Sequence, residues 1–93
     1  MRLSSYEIST IKEVVATFDC HAKLILFGSR VDDSTAGGDI DLLVISDSID
    51  LPKKLYIRMM LKDRLGDQKI DLLVSKALDT AFLRKAYSTG VEL

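Results

Sequence analysis

The apolar residues of this chain fall into two rhythms, and the switch between them marks its elements. Ile8, Ile11, Val14, Val15 and Phe18 recur at helical spacing, which lines one face of a helix. Ser4-Ser5-Tyr6-Glu7 reads as a capping box, in which a hydroxyl and a carboxylate satisfy the first free backbone N–H groups. A helix is predicted over 5–18, closed by Asp19-Cys20-His21. Lys23 to Phe27 is a short apolar run, a buried strand that Gly28 ends sharply. Ser29 to Gly38 is polar and rich in Gly, Ser, Thr and Asp, a loop with room for one helical turn after Ser29.

Asp39 to Ile45 is the second strand and Ser46 to Asp50 another loop. Pro52 suits the first residue of a helix, where a missing N–H costs nothing. Leu55, Ile57, Met59, Met60, Leu61 and Leu65 support that helix, which ends at Gly66. Lys69 to Val74 is the third strand. Asp79 or Thr80 caps a last helix carrying Phe82, Leu83 and Tyr87, and Gly90 to Leu93 form a short final strand.

The order is αββαβα plus one added strand. The short link between the first two strands favours antiparallel pairing, and the helical crossover between the second and third favours a parallel pair. The fold class is α+β: a small mixed β-sheet of three to four strands, covered by helices on at least one face. Ninety-three residues make one domain, 1–93. A core this small is only modestly stable alone, so a homo- or hetero-oligomer is expected. The net charge of -1 gives no argument for direct nucleic-acid binding or an anionic membrane surface. No apolar run approaches a membrane span and the N-terminus lacks a signal-peptide core. The expected location is the cytoplasm, with the one cysteine, Cys20, a buried free thiol.

The chemistry lies where the strands begin. Asp39 and Asp41 stand one pleat apart, so they point to the same face. Thirty residues on, Ile70-Asp71-Leu72-Leu73-Val74 repeats Ile40-Asp41-Leu42-Leu43-Val44. The flanks differ, so the repeat reads as two neighbouring strands meeting one demand: an acidic mouth and an apolar body. Charge beside a core is expensive unless a cation or hydrogen-bond partner meets it. Magnesium takes such oxygen ligands and keeps places for substrate phosphates. With Asp71 alongside, three carboxylates suit a two-metal site, its ions about 3.5–4 Å apart. Gly28 lets the backbone turn and offer N–H groups to an anion. Ser29 adds a hydroxyl, and Arg30 has the reach for a phosphate. A P-loop is excluded because no Gly-Lys occurs, and so is a Gly-x-Gly-x-x-Gly dinucleotide fingerprint.

Leu26-Phe27-Gly28-Ser29-Arg30, the polar loop, and Gly38-Asp39-Ile40-Asp41-Leu42 together resemble the nucleotidyltransferase superfamily that includes DNA polymerase beta. In length the chain resembles the minimal nucleotidyltransferases (MNT), often encoded beside a helical HEPN protein as antitoxin and toxin. The spacer from Gly-Ser to Asp-x-Asp is one residue shorter than a common form of the motif, which implies a changed loop. The resemblance implies that Gly28, Ser29 and Arg30 hold a nucleoside triphosphate, most simply ATP. It implies that Asp39 and Asp41 bind two Mg2+ ions, with Asp71 as third carboxylate and general base. Larger enzymes of this type add an acceptor-binding domain. The implied reaction here places AMP on a hydroxyl of a HEPN-type partner, silencing a ribonuclease toxin. Two alternatives stay open: an inactive module that neutralises its partner by occlusion, and a subunit acting on a small molecule bound elsewhere.

The remaining polar residues have blander readings. His21 is a solvated turn residue. Lys54, Arg58 and Lys62 form a basic helical stripe, a solvated face or one that meets an acidic partner. Met59 and Met60 belong to the core or an interface, and Tyr87 packs.

Overall fold

The computed structural model describes residues 3–28, 39–66 and 68–93. Its elements are α1 (Ser5–Phe18), β1 (Lys23–Phe27), β2 (Ile40–Ile45), α2 (Leu51–Leu65), β3 (Ile70–Ser75), α3 (Ala81–Thr89) and β4 (Val91–Glu92). This is the expected order, to within a residue at the element ends.

Local chemistry explains the helix boundaries. Ser4 Oγ accepts from the Glu7 N–H at 3.1 Å, and Glu7 Oε1 accepts from the Ser4 N–H at 2.9 Å, closing the capping box. Asp50 caps α2 by accepting from the Lys53 N–H at 3.1 Å, with Pro52 in the first turn. Gly66, at φ +81°, ends that helix in a conformation side chains rarely adopt. Thr80, not Asp79, caps α3: its Oγ1 accepts from the Leu83 N–H at 3.1 Å.

The strands form one mixed sheet in the order β3-β2-β1-β4. β1 runs antiparallel to both β2 and β4, and β2 is parallel to β3. Along β2, Ile40, Leu42 and Val44 face one side, where they join Ile11, Val14, Val15, Ile57 and Leu61 of α1 and α2. Leu43, on the other side, joins Ile25 and Ala86 of α3, with Phe27, Ile45, Leu73, Leu83 and Tyr87 packed around them. Both faces are thus covered, and Tyr87 packs as expected. Buried on both sides, β2 needs the near-continuous apolar run it has.

Ser46 fixes the far end of β2. Its backbone N–H donates to Ser75 O at 2.9 Å and its hydroxyl donates to Asp19 Oδ2 at 2.5 Å. The same Oγ accepts from the N–H groups of Ser48 and Ile49 at 3.0 and 3.2 Å. The C-terminal cap of α1 is thereby tied to the end of the central strand.

One expectation is corrected. Cys20 is exposed, not buried, because the chain has left the α1 face that holds Ile11, Val14 and Val15 and has entered the turn before β1. His21 is exposed as expected. Among the described residues no helix is long and apolar enough to cross a membrane.

Candidate active site

The five-residue repeat aligns without offset across the parallel pair: Ile40 faces Ile70, Asp41 faces Asp71, and so on to Val44 and Val74. Parallel neighbours in register present like residues on the same face. Asp41 and Asp71 therefore stand side by side on the face that α3 covers. On the other flank Asp41 is the register partner of Phe27, the last residue of β1. The end of β1 and the starts of β2 and β3 meet at one rim of the sheet.

Gly28 completes that rim. It has φ +79°, and a Cβ added there would collide with Asp41 Oδ2 and lie 3.1 Å from Asp41 Cγ. Only the absence of a side chain lets the β1 turn pass this close to the carboxylate. The ring of Phe27, beside it, meets Phe82 of α3 edge to face, with centroids 6.0 Å apart.

The electrostatics follow from this packing. Burial, first of all, raises the pKa of Asp41 above its ordinary value. The facing Asp71 adds to the rise through its charge and a shared hydrogen bond, Asp39 adds a further like charge, and Lys69 opposes them. A carboxyl forced beside like charges is one whose ionised form lacks a counter-charge. Asp39 Oδ2 lies 3.5 Å from Lys69 Nζ. No group of three His, Cys, Asp or Glu residues closes into a metal-binding cluster among the described residues. Asp41 and Asp71 converge; Asp39 is adjacent and held by a partly solvated lysine. The donors are all carboxylate oxygens, the ligand type a hard divalent cation takes.

Of the residues singled out from the sequence, Gly28, Asp41 and Asp71 are thus brought together and Asp39 lies beside them. Ser29 and Arg30, with the expected helical turn after Ser29, lie outside the described residues. Sequence reasoning missed two neighbours. Lys69 had no signal except its place just before the third strand. Phe82 carried only its helical spacing, which does not reveal that it reaches across to Phe27.

No curated protein matches the chain. The family model described as Polymerase beta, Nucleotidyltransferase matches residues 9–93, a span that runs from within α1 through β4 and includes the whole acidic rim. The chain belongs to the polymerase-beta nucleotidyltransferase family.

Proposed function

We propose that this chain transfers the AMP group of ATP to a hydroxyl of a partner protein, acting as the antitoxin of a HEPN ribonuclease toxin. The observation that carries the reading is the in-register pair Asp41 and Asp71 beside the tight turn at Gly28. A family built for nucleotidyl transfer needs carboxylates beside a phosphate-binding turn, and this rim supplies both. Every described element belongs to one sheet and its helices, which supports an acceptor arriving from outside them.

In this reading Asp39, Asp41 and Asp71 are the residues that would hold Mg2+. When bound, the ion neutralises phosphate charge and polarises the phosphorus under attack. The Gly28 turn seats the triphosphate close to Asp41, with Ser29 and Arg30 as further phosphate contacts. The acceptor oxygen attacks the α-phosphorus. Its proton passes to an Asp71 carboxylate oxygen, the bond to the β-phosphate bridge breaks, and pyrophosphate leaves with the electron pair. Asp71 is the more exposed of the facing pair, which suits it to meet an incoming hydroxyl. Positioning and charge neutralisation, more than a protein nucleophile, drive such transfers.

The test uses a HEPN-type partner protein, α-phosphate-labelled ATP and magnesium. Label is expected on the partner with wild type and not with Asp39→Ala/Asp41→Ala. A partner left unlabelled by both would sink the reading. The ion pair between Asp39 and Lys69 favours a second reading, a module that neutralises its partner by occlusion alone. Full protection of cells by the double alanine variant would select it. Label appearing on a small molecule instead would select the small-molecule alternative.

A further inference from the structure

Along α2, Leu51, Leu55, Arg58, Met59 and Lys62 follow one another at helical spacing and so share one face. That face is turned away from the core. α2 buries Ile57 and Leu61, whereas Leu51, Leu55 and Met59 stand 65, 50 and 66% exposed. Single exposed aliphatics are ordinary, but several in line on one helix form a patch that marks an interaction surface. Four of these residues, from Leu55 to Lys62, form one wall of a groove of about 600 Å3 whose other wall runs from Gln68 through Lys69 and Ile70 to Asp71. β3 is an end strand of the sheet. The groove therefore follows the sheet's margin, and Asp71 of the candidate active site is among the residues that line it.

We propose that this groove docks an acidic, amphipathic segment of a protein partner, laid along α2 toward Asp71. Charge complementarity selects this occupant. Arg58 and Lys62 on one wall and Lys69 on the other are cations, and Leu55 and Met59 share the α2 wall with the first two. Acidic side chains meet the cations while apolar ones cover the aliphatics. A nucleic-acid strand would satisfy the cations but lay sugar and phosphate on Leu55 and Met59, where stacking bases need aromatic platforms. A second copy is disfavoured, because an isologous contact would press Arg58 and Lys62 against their own counterparts. The proposal rests on the reading that the acceptor arrives on another polypeptide, and it adds the surface that holds that polypeptide.

Docking and transfer are separable by experiment. Fluorescence anisotropy with labelled poly(Glu,Tyr) and no nucleotide reads docking alone, with poly(Lys,Tyr) and a single-stranded RNA oligonucleotide as counter-probes. Wild type is expected to bind poly(Glu,Tyr) and to prefer it to both counter-probes. Arg58→Glu/Lys62→Glu is expected to weaken that binding about tenfold or more, as loss of complementary charge does. Leu55→Ser/Met59→Ser, which leaves every charge in place, is expected to weaken it about three- to tenfold through lost apolar burial. Both variants change exposed residues, and thermal melts within a few degrees of wild type show that they fold. Absence of wild-type binding, unchanged binding by either double variant, or tighter binding of the RNA overturns the proposal. So does a wild-type dimer that Arg58→Glu/Lys62→Glu dissolves in sedimentation. If poly(Glu,Tyr) binds as expected but a HEPN-type partner takes no label from ATP, the transfer reading falls and the docking surface stands.

Discussion

The two ends of β2 each hold an aspartate, and the two aspartates are treated in opposite ways. At the far end, Asp19 receives the Ser46 hydroxyl and the His21 backbone N–H. These bonds, the Ser46 one first, lower its pKa. At the near end, Asp41 receives burial and the neighbouring charges of Asp71 and Asp39, and its pKa rises. One end uses an acid to fasten α1 to the sheet. The other holds an acid crowded by burial and like charges. Perturbed acids gather at functional sites, and the contrast between Asp19, in the cap of α1, and Asp41, in the strand, marks Asp41 as the candidate.

The largest effect that tests the contrast is on activity. Asp41→Asn is expected to lower nucleotidyl transfer by about a thousandfold, or roughly 4 kcal/mol in the barrier, measured with labelled ATP. Gly28→Ala comes next. It places a side chain at positive φ and against Asp41 Oδ2, and is expected to destabilise the fold by about 2–3 kcal/mol, read from urea midpoints. A variant as stable as wild type would show that the turn does not press on the carboxylate. At the other end, Ser46→Ala strands two backbone N–H groups beneath a buried position and should lower the Tm by about 5 °C.

The smaller effects concern sign. Asp41→Asn removes a charge the fold disfavours, so it should raise the Tm of the protein measured without added metal at pH 7. Because the folded pKa of Asp41 is raised, its ionisation costs stability as pH climbs through that value. The advantage of Asp41→Asn should therefore shrink on acidification and vanish below the ordinary value of 3.8. Asp19 runs the other way: its contribution is present above 3.8 and is lost as pH falls through its lowered pKa. Ser46→Ala should accordingly flatten the loss of stability in acid. Added Mg2+ should raise the Tm of wild type and leave Asp41→Asn unmoved. The smallest effect is that of Lys69→Ala, within about 0.5 kcal/mol of wild-type stability, since an exposed ion pair contributes little.

Most of the fold was legible in the chain because its signals are local. The spacing of Ile11, Val14 and Val15, the caps at Ser4 and Asp50, and the apolar run of β2 act within a few residues, and each element appears where its pattern puts it. Cys20 was misread because the usual burial of a free thiol is an average, and a turn position overrides it. Leu55 and Met59 belong to the expected helix but face outward; on so amphipathically mixed a helix, periodicity does not say which side meets the sheet.

By itself the sequence determined the elements, their order, the antiparallel and parallel pairings, and a rim of glycine and aspartates at the mouths of apolar strands. Tertiary structure decided which of those aspartates meet. The zero-offset register of β2 and β3 sets Asp41 against Asp71, the close pass of Gly28 walls one side, and Lys69 pairs with Asp39. Register, close approach and ion pairing join residues distant in the chain through packing of the whole sheet, so no local pattern encodes them.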